Sequence, residues 1–82
     1  MSKLYHPARP IEVETDERGC PVALRWRGMC SRGRCLDHWR VHTGWWEDEV
    51  LRDCYLFEGP YLFCEIYLDA LQGRWYMHRM YD

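Results

Sequence analysis

From residue 11 onward the chain alternates. Ile11, Val13 and Thr15 interleave with Glu12, Glu14 and Asp16, the period-two pattern of a strand with one buried face. Glu17-Arg18-Gly19-Cys20-Pro21 reads as a turn. Val22, Leu24 and Trp26 then alternate with Ala23, Arg25 and Arg27, which predicts a hairpin whose polar face carries Arg25 and Arg27. Residues 29–34 predict a turn or a short irregular strand. A third strand is predicted over 35–42, with an ambiguous register, because Leu36 is out of phase with Trp39 and Val41. Thr43-Gly44 breaks it, and residues 45–49 have no period and predict a loop. A fourth strand comes next over 53–58, with Tyr55 and Phe57 on one face, then a Gly59-Pro60 turn. A fifth runs over 61–68, with Leu62, Cys64, Ile66 and Leu68 on one face. Residues 69–73 predict a tight turn and 75–81 a last strand. Residues 1–9 read as an irregular N-terminal arm, since Pro7 and Pro10 cannot donate to a ladder and delay the first strand.

Turn signals recurring about every 8–14 residues predict an all-β, mainly antiparallel fold of five to six strands. A meander or an SH3-like or open barrel fits, and a short helical turn near 65–72 is the competing reading. Residues 10–82 form a single small β domain. A chain of 82 residues buries only about 60% of its unfolded surface, so it needs large side chains or a staple. Five Trp, six Tyr and two Phe supply them, at about 150–250 Å² each. They exceed what so small a core can hide, and exposed apolar surface tends to mark contacts.

The five cysteines are odd in number, so a fully paired monomer is impossible. The N-terminal MSKLYHPARP has no apolar signal region, and no apolar run approaches the roughly 20 residues of a membrane span. A reduced, cytoplasmic protein with core cysteines is the simplest expectation.

A net charge of −2 argues against a purely electrostatic nucleic-acid binder, but the charges are segregated. Glu12, Glu14, Asp16 and Glu17 make an acidic start, Arg25, Arg27, Arg32, Arg34 and Arg40 a basic stretch, and Glu47, Asp48 and Glu49 an acidic return. Arginine suits phosphates and aromatic faces. With neighbouring aromatics, the five arginines form a candidate surface for single-stranded nucleic acid. The plainer alternative is a solvated face pairing with Glu12 and Glu14 across the hairpin.

Cys30, Cys35, His38 and His42 are all zinc-ligand types. Only two residues separate Cys35 from His38, and on a strand these two point to opposite faces. His38 and His42 share a face but lie about 13 Å apart along an extended strand. Core Cys and surface His is therefore the favoured reading, with zinc as a lesser alternative. Cys35 beside His38 or His42 is the only local option for a cysteine nucleophile. No phosphate loop, nucleophile elbow or paired-carboxylate motif is present, so neither an enzyme nor a cofactor is expected. Trp45-Trp46 is a second candidate contact: adjacent residues in an extended segment point opposite ways, so one can enter the core while the other meets a partner.

Trp39-Arg40-Val41, Gly44-Trp45-Trp46, Arg52-Asp53, Cys64-Glu65-Ile66-Tyr67, Gly73-Arg74-Trp75-Tyr76 and Met80-Tyr81-Asp82 together resemble a small bacterial family of unassigned function. That family is similar to the C-terminal region of ImuB-type proteins, inactive relatives of Y-family DNA polymerases that act in damage-induced mutagenesis. The resemblance spans roughly residues 10–82. It implies a protein-contact module whose partner is a component of error-prone, translesion DNA synthesis, without polymerase activity of its own. A non-catalytic protein-interaction module is thus the first expectation, a single-stranded nucleic-acid-binding domain the second and a zinc-binding domain the third. An exposed edge strand would also allow a homodimer.

Overall fold

The structure is a computed structural model that describes residues 3–44 and 46–81. It contains seven strands: β1 Lys3–Thr15, β2 Pro21–Trp26, β3 Met29–Arg32, β4 Arg34–Thr43, β5 Val50–Gly59, β6 Leu62–Asp69 and β7 Arg74–Met80. They form one antiparallel sheet in the order β3-β2-β1-β7-β6-β5-β4. The all-β antiparallel class agrees with the alternation. The strand count is higher than expected because residues 29–32 form a full strand.

Two expectations are corrected. Of the expected irregular arm over 1–9, residues 1 and 2 lie outside the described residues, and residues 3–9 are strand: Lys3 and Leu4 pair with Met80 and Arg79, and pairing with β7 resumes at Arg9. Pro7 falls in the register shift between Leu4 and Arg9, where a missing donor breaks no ladder bond. The short helical turn near 65–72 is absent. Strand β6 runs to Asp69, and the Asp69 carboxylate accepts hydrogen bonds from the Leu71 and Gln72 amides at 3.1 and 3.2 Å, closing a turn into β7. No helix long and apolar enough to cross a membrane occurs among the described residues.

The turns are set by local chemistry. Asp16 accepts from the amides of Arg18 and Cys20, both at 2.9 Å, and Gly19 adopts a φ of 82°, which closes the β1–β2 hairpin. Trp26 pairs with Met29, so β2 and β3 are joined by Arg27 and Gly28 alone. Both have positive φ, 51° and 79°, as a two-residue hairpin turn of the primed type requires. Arg27 therefore sits in the turn and not on the strand face with Arg25.

Cross-strand partners lie on one side of a sheet. Phe57 pairs with Cys64, and Tyr55 with Ile66, which pairs with Met77. These residues, with Tyr5, Leu24 and Leu62, form the buried core. Ile11, Val13, Trp26 and Trp75 pack against it, on the phase the alternation predicts. Leu36 explains the ambiguity of the third strand: the register shifts between Cys35 and Asp37, so Leu36 is the extra residue of a bulge and is exposed.

Among the described residues no helix covers the core; the sheet curls into a half-barrel and brings β4 back towards β2. The Gly33 amide donates to the Val22 carbonyl at 2.9 Å, and the Cys35 thiol to the Pro21 carbonyl at 3.5 Å. Gly33 is the one-residue link between β3 and β4. A Cβ there would lie 2.1 Å from the Glu58 carbonyl oxygen and 2.8 Å from the Phe57 ring. Only glycine lets the chain pass.

Two substitutions probe this arrangement. Phe57→Ala should destabilise the fold by about 3–5 kcal/mol, and Gly33→Ala should lower the urea midpoint through the backbone clash. Gly19→Ala provides the comparison: a Cβ there meets nothing within 4 Å, so only the cost of its positive φ applies, roughly 1–2 kcal/mol. Equilibrium urea unfolding of the three variants checks the order.

Candidate functional site

The five arginines named from the sequence do not converge. Leu24 faces the core, so Arg25 and Arg32, which pair with Cys30 and Ala23, lie on the outer face. Arg25 pairs with Glu12 at 3.9 Å, and Arg34 meets Glu58 at 3.3 Å. Arg27 lies over the Trp26 ring at 5.2 Å. Arg40 is on the concave side: its Nε donates to Asp53 at 2.9 Å. Three of the five are thus matched by carboxylates, and the set is divided between both faces and a turn.

Nor do Cys30, Cys35, His38 and His42 assemble. Cys30 is exposed on β3, Cys35 pairs with Phe57, His38 stacks on Tyr55 at 4.4 Å, and His42 contacts Glu49 at 2.8 Å. Among the described residues, no three His, Cys, Asp or Glu side chains gather as metal ligands do. Burial pushes the Cys35 thiol up to about 12, the opposite of what a nucleophile needs. Trp45 lies outside the described residues. Trp46 is 73% exposed in the turn after β4.

The outer face holds an arrangement that the alternation alone does not reveal. Register carries one row across five strands: Trp39 beside Cys54, Cys54 beside Tyr67, Tyr67 beside Tyr76, Tyr76 beside Pro10. A second row runs parallel: Val41, Arg52, Asp69 and Arg74. Tyr67 and Tyr76 stack at 5.2 Å with 25° between rings. The Arg52 guanidinium lies 4.5 Å over the Tyr67 ring, and His78 meets Tyr67 edge-on at 5.9 Å. These neighbours bury Tyr67 and Cys54 on a face that no other layer covers. The tyrosines border an open cleft of about 350 Å³, which Arg52, Asp69, Gln72, His78 and the His6–Ala8 segment complete. The sequence signal for this site was available. Phe63, Tyr67 and Tyr76 occupy the phase that an outward-facing strand position normally gives to polar residues.

A third cluster closes one end of the concave side. Asp53 is buried, with Arg40 at 2.9 Å and His38 Nε2 at 3.6 Å. The hydrogen bond from Arg40 is the largest influence on its carboxyl; it outweighs burial and holds the group below the usual carboxylate range.

Another exposed feature is the edge of β4. Among the described residues this strand pairs with β5 alone along 38–43, and Leu36 and Trp39 are 45% and 37% exposed. Within 38–43 there is no Pro, Lys, Asp or Glu, and the one arginine, Arg40, is drawn to Asp53 on the neighbouring strand, so the edge carries little of the blunting that natural sheets commonly use.

Compared with known proteins, the chain matches no family model, no curated protein and no solved structure.

The thiols and Asp53 give two checks. Cys30 should react first with a thiol reagent in the native protein. Cys64 has no exposure and burial pushes its thiol up to about 12, so it should react only on unfolding; mass mapping of the modified cysteines reads the order. Because the Asp53 carboxyl is depressed in the fold, its contribution is complete above its unfolded value, near pH 4, and is lost as pH falls through its lower folded value. Asp53→Asn should therefore flatten the acid limb of stability below about pH 4, measured by urea midpoints over that range.

Proposed function

We propose that this protein is a non-catalytic interaction module that takes a protein partner along the free edge of β4. The observation that carries the reading is the unblocked edge over 38–43, with Leu36 and Trp39 exposed on the strand and Trp46 on the adjoining turn. An extended segment can add to such an edge by main-chain hydrogen bonds, and neighbouring side chains supply selectivity. Exposed tryptophans are favoured anchors at such interfaces.

The partner class comes from the sequence resemblance to ImuB-type C-terminal regions: a component of the error-prone DNA synthesis machinery. The same edge could instead pair with a second copy of the chain, which sedimentation distinguishes.

Capture of purified error-prone polymerase components by the tagged protein tests the proposal. Trp39→Ala and Trp46→Ala should each weaken capture by roughly tenfold or more, the scale of an interface hot spot. Nothing retrieved above background, or capture unchanged in both variants, would sink it.

A further inference from the structure

We propose that the cleft over Tyr67 and Tyr76 binds single-stranded nucleic acid, with a base stacked on Tyr76 and the adjoining phosphate on Arg52. The cleft itself is built by β5, β6, β7 and the start of β1; its row of side chains reaches the β4 edge only at Trp39, so Arg52 and Tyr76, not Trp39, are its probes.

Arg52 differs from Arg25, Arg34 and Arg40. Among the described residues no carboxylate lies within ion-pair distance of it, although Asp69 is its cross-strand neighbour. The Asp69 carboxylate is directed to the β6–β7 turn, where Oδ1 accepts from the amides of Leu71 and Gln72. Glu65, the other acid on the adjoining row, faces His78 at 2.6 Å and accepts from the Tyr81 hydroxyl at 3.3 Å. Arg52 is therefore held by stacking on Tyr67, and its planar fork of donors is available at the rim of the cleft. A stacked guanidinium with free donors is well matched to phosphate.

Beside it, Tyr76 is only partly buried and lines the same cleft. Its hydroxyl donates to the Gln72 side-chain oxygen Oε1 at 3.3 Å, which fixes the ring and leaves the Gln72 side-chain NH2 donors for base-edge acceptors. Aromatic rings and Arg side by side are the elements by which sheets hold single strands without sequence preference. The cleft is open and not enclosed, unlike the pockets that surround a free small ligand. The aromatic row also continues beyond it to Trp39, three strand spacings or about 14 Å from Tyr76. Both features fit a chain of nucleotides better than a single one.

With Arg52 as the phosphate contact, the logarithm of affinity should fall with the logarithm of salt with a shallow slope, about −0.7. The test is fluorescence anisotropy of labelled oligothymidylate with the intact protein at low salt. Tyr76→Ala and Arg52→Gln should each weaken binding by roughly tenfold or more, and Arg25→Gln, at the distant Glu12 pair, should leave it within twofold. Arg52→Gln keeps most of the side-chain volume over Tyr67, so it remains informative if Tyr76→Ala fails to fold. No binding at low salt overturns the proposal, as does binding unchanged by Arg52→Gln. Competition by thymidine monophosphate as effective as by the oligonucleotide, or by an acidic peptide in place of either, also overturns it. Arg52→Gln leaves the β4 edge intact, so capture of a protein partner and binding of the oligonucleotide are read separately.

Discussion

Phe57, Cys64, Ile66 and Met77 are completely buried, although the described residues include no helix to lay over the sheet. The curl of the sheet makes this possible. Apolar side chains from β5, β6 and β7 meet those of β1 and β2 across the hollow, and removal of that surface from water is the main favourable term available to a chain of this size. The curl brings a few contacts together at the seam, where the Gly33 amide and the Cys35 thiol bond to the carbonyls of Val22 and Pro21. Gly33 matters beyond its own hydrogen bond, because β3 and β4 turn through a single residue pressed against Glu58.

The curl also decides which polar groups become buried. Asp53 and Arg40 lie on the core side of the sheet but near its end, where a carboxylate can remain charged because a guanidinium and an imidazole face it. The other arginine–carboxylate pairs are exposed, and pairs of that kind contribute little to stability. The outer face has no second layer. It shelters Tyr67 and Cys54 with the side chains around them: the Arg52 guanidinium, the Tyr76 ring and the His78 imidazole. The same ring contacts that stabilise the face leave a partly open aromatic cleft, so stability and recognition draw on one set of side chains there.

Much of the candidate site was hidden in the sequence for a definable reason. Arg25, Arg27, Arg32, Arg34 and Arg40 are neighbours in the chain, and their proximity suggested one surface. A single positive-φ turn removes Arg27 from its strand. The Gly33 link and the Leu36 bulge then change the strand phase between Arg32 and Arg40, and Arg40 emerges on the opposite face from Arg25. The same bulge brings Cys35 into phase with His38 and His42 on the core side, where they pair with Phe57, Tyr55 and Leu51 at different positions along β5. Conversely, Trp39, Arg52, Tyr67 and Tyr76 are far apart in sequence and come together only through cross-strand register. Period-two reading assigns each to a face but not to a row.

Alternation was enough to determine the strands over 11–15, 22–26, 53–58 and 61–68, their buried faces and the antiparallel all-β class, because side chains on a strand must alternate between water and core. Turn chemistry at Asp16–Gly19, Gly59-Pro60 and Asp69–Gly73 was equally local. Only the tertiary structure decided that Lys3 and Leu4 extend β1, since a segment interrupted by prolines is held as a strand by its pairing with β7. It also decided the seven-strand order, the closure of β4 towards β2 and the rows on the outer face. Those depend on long-range backbone partners and on the curl needed to bury one face of a sheet that nothing else covers.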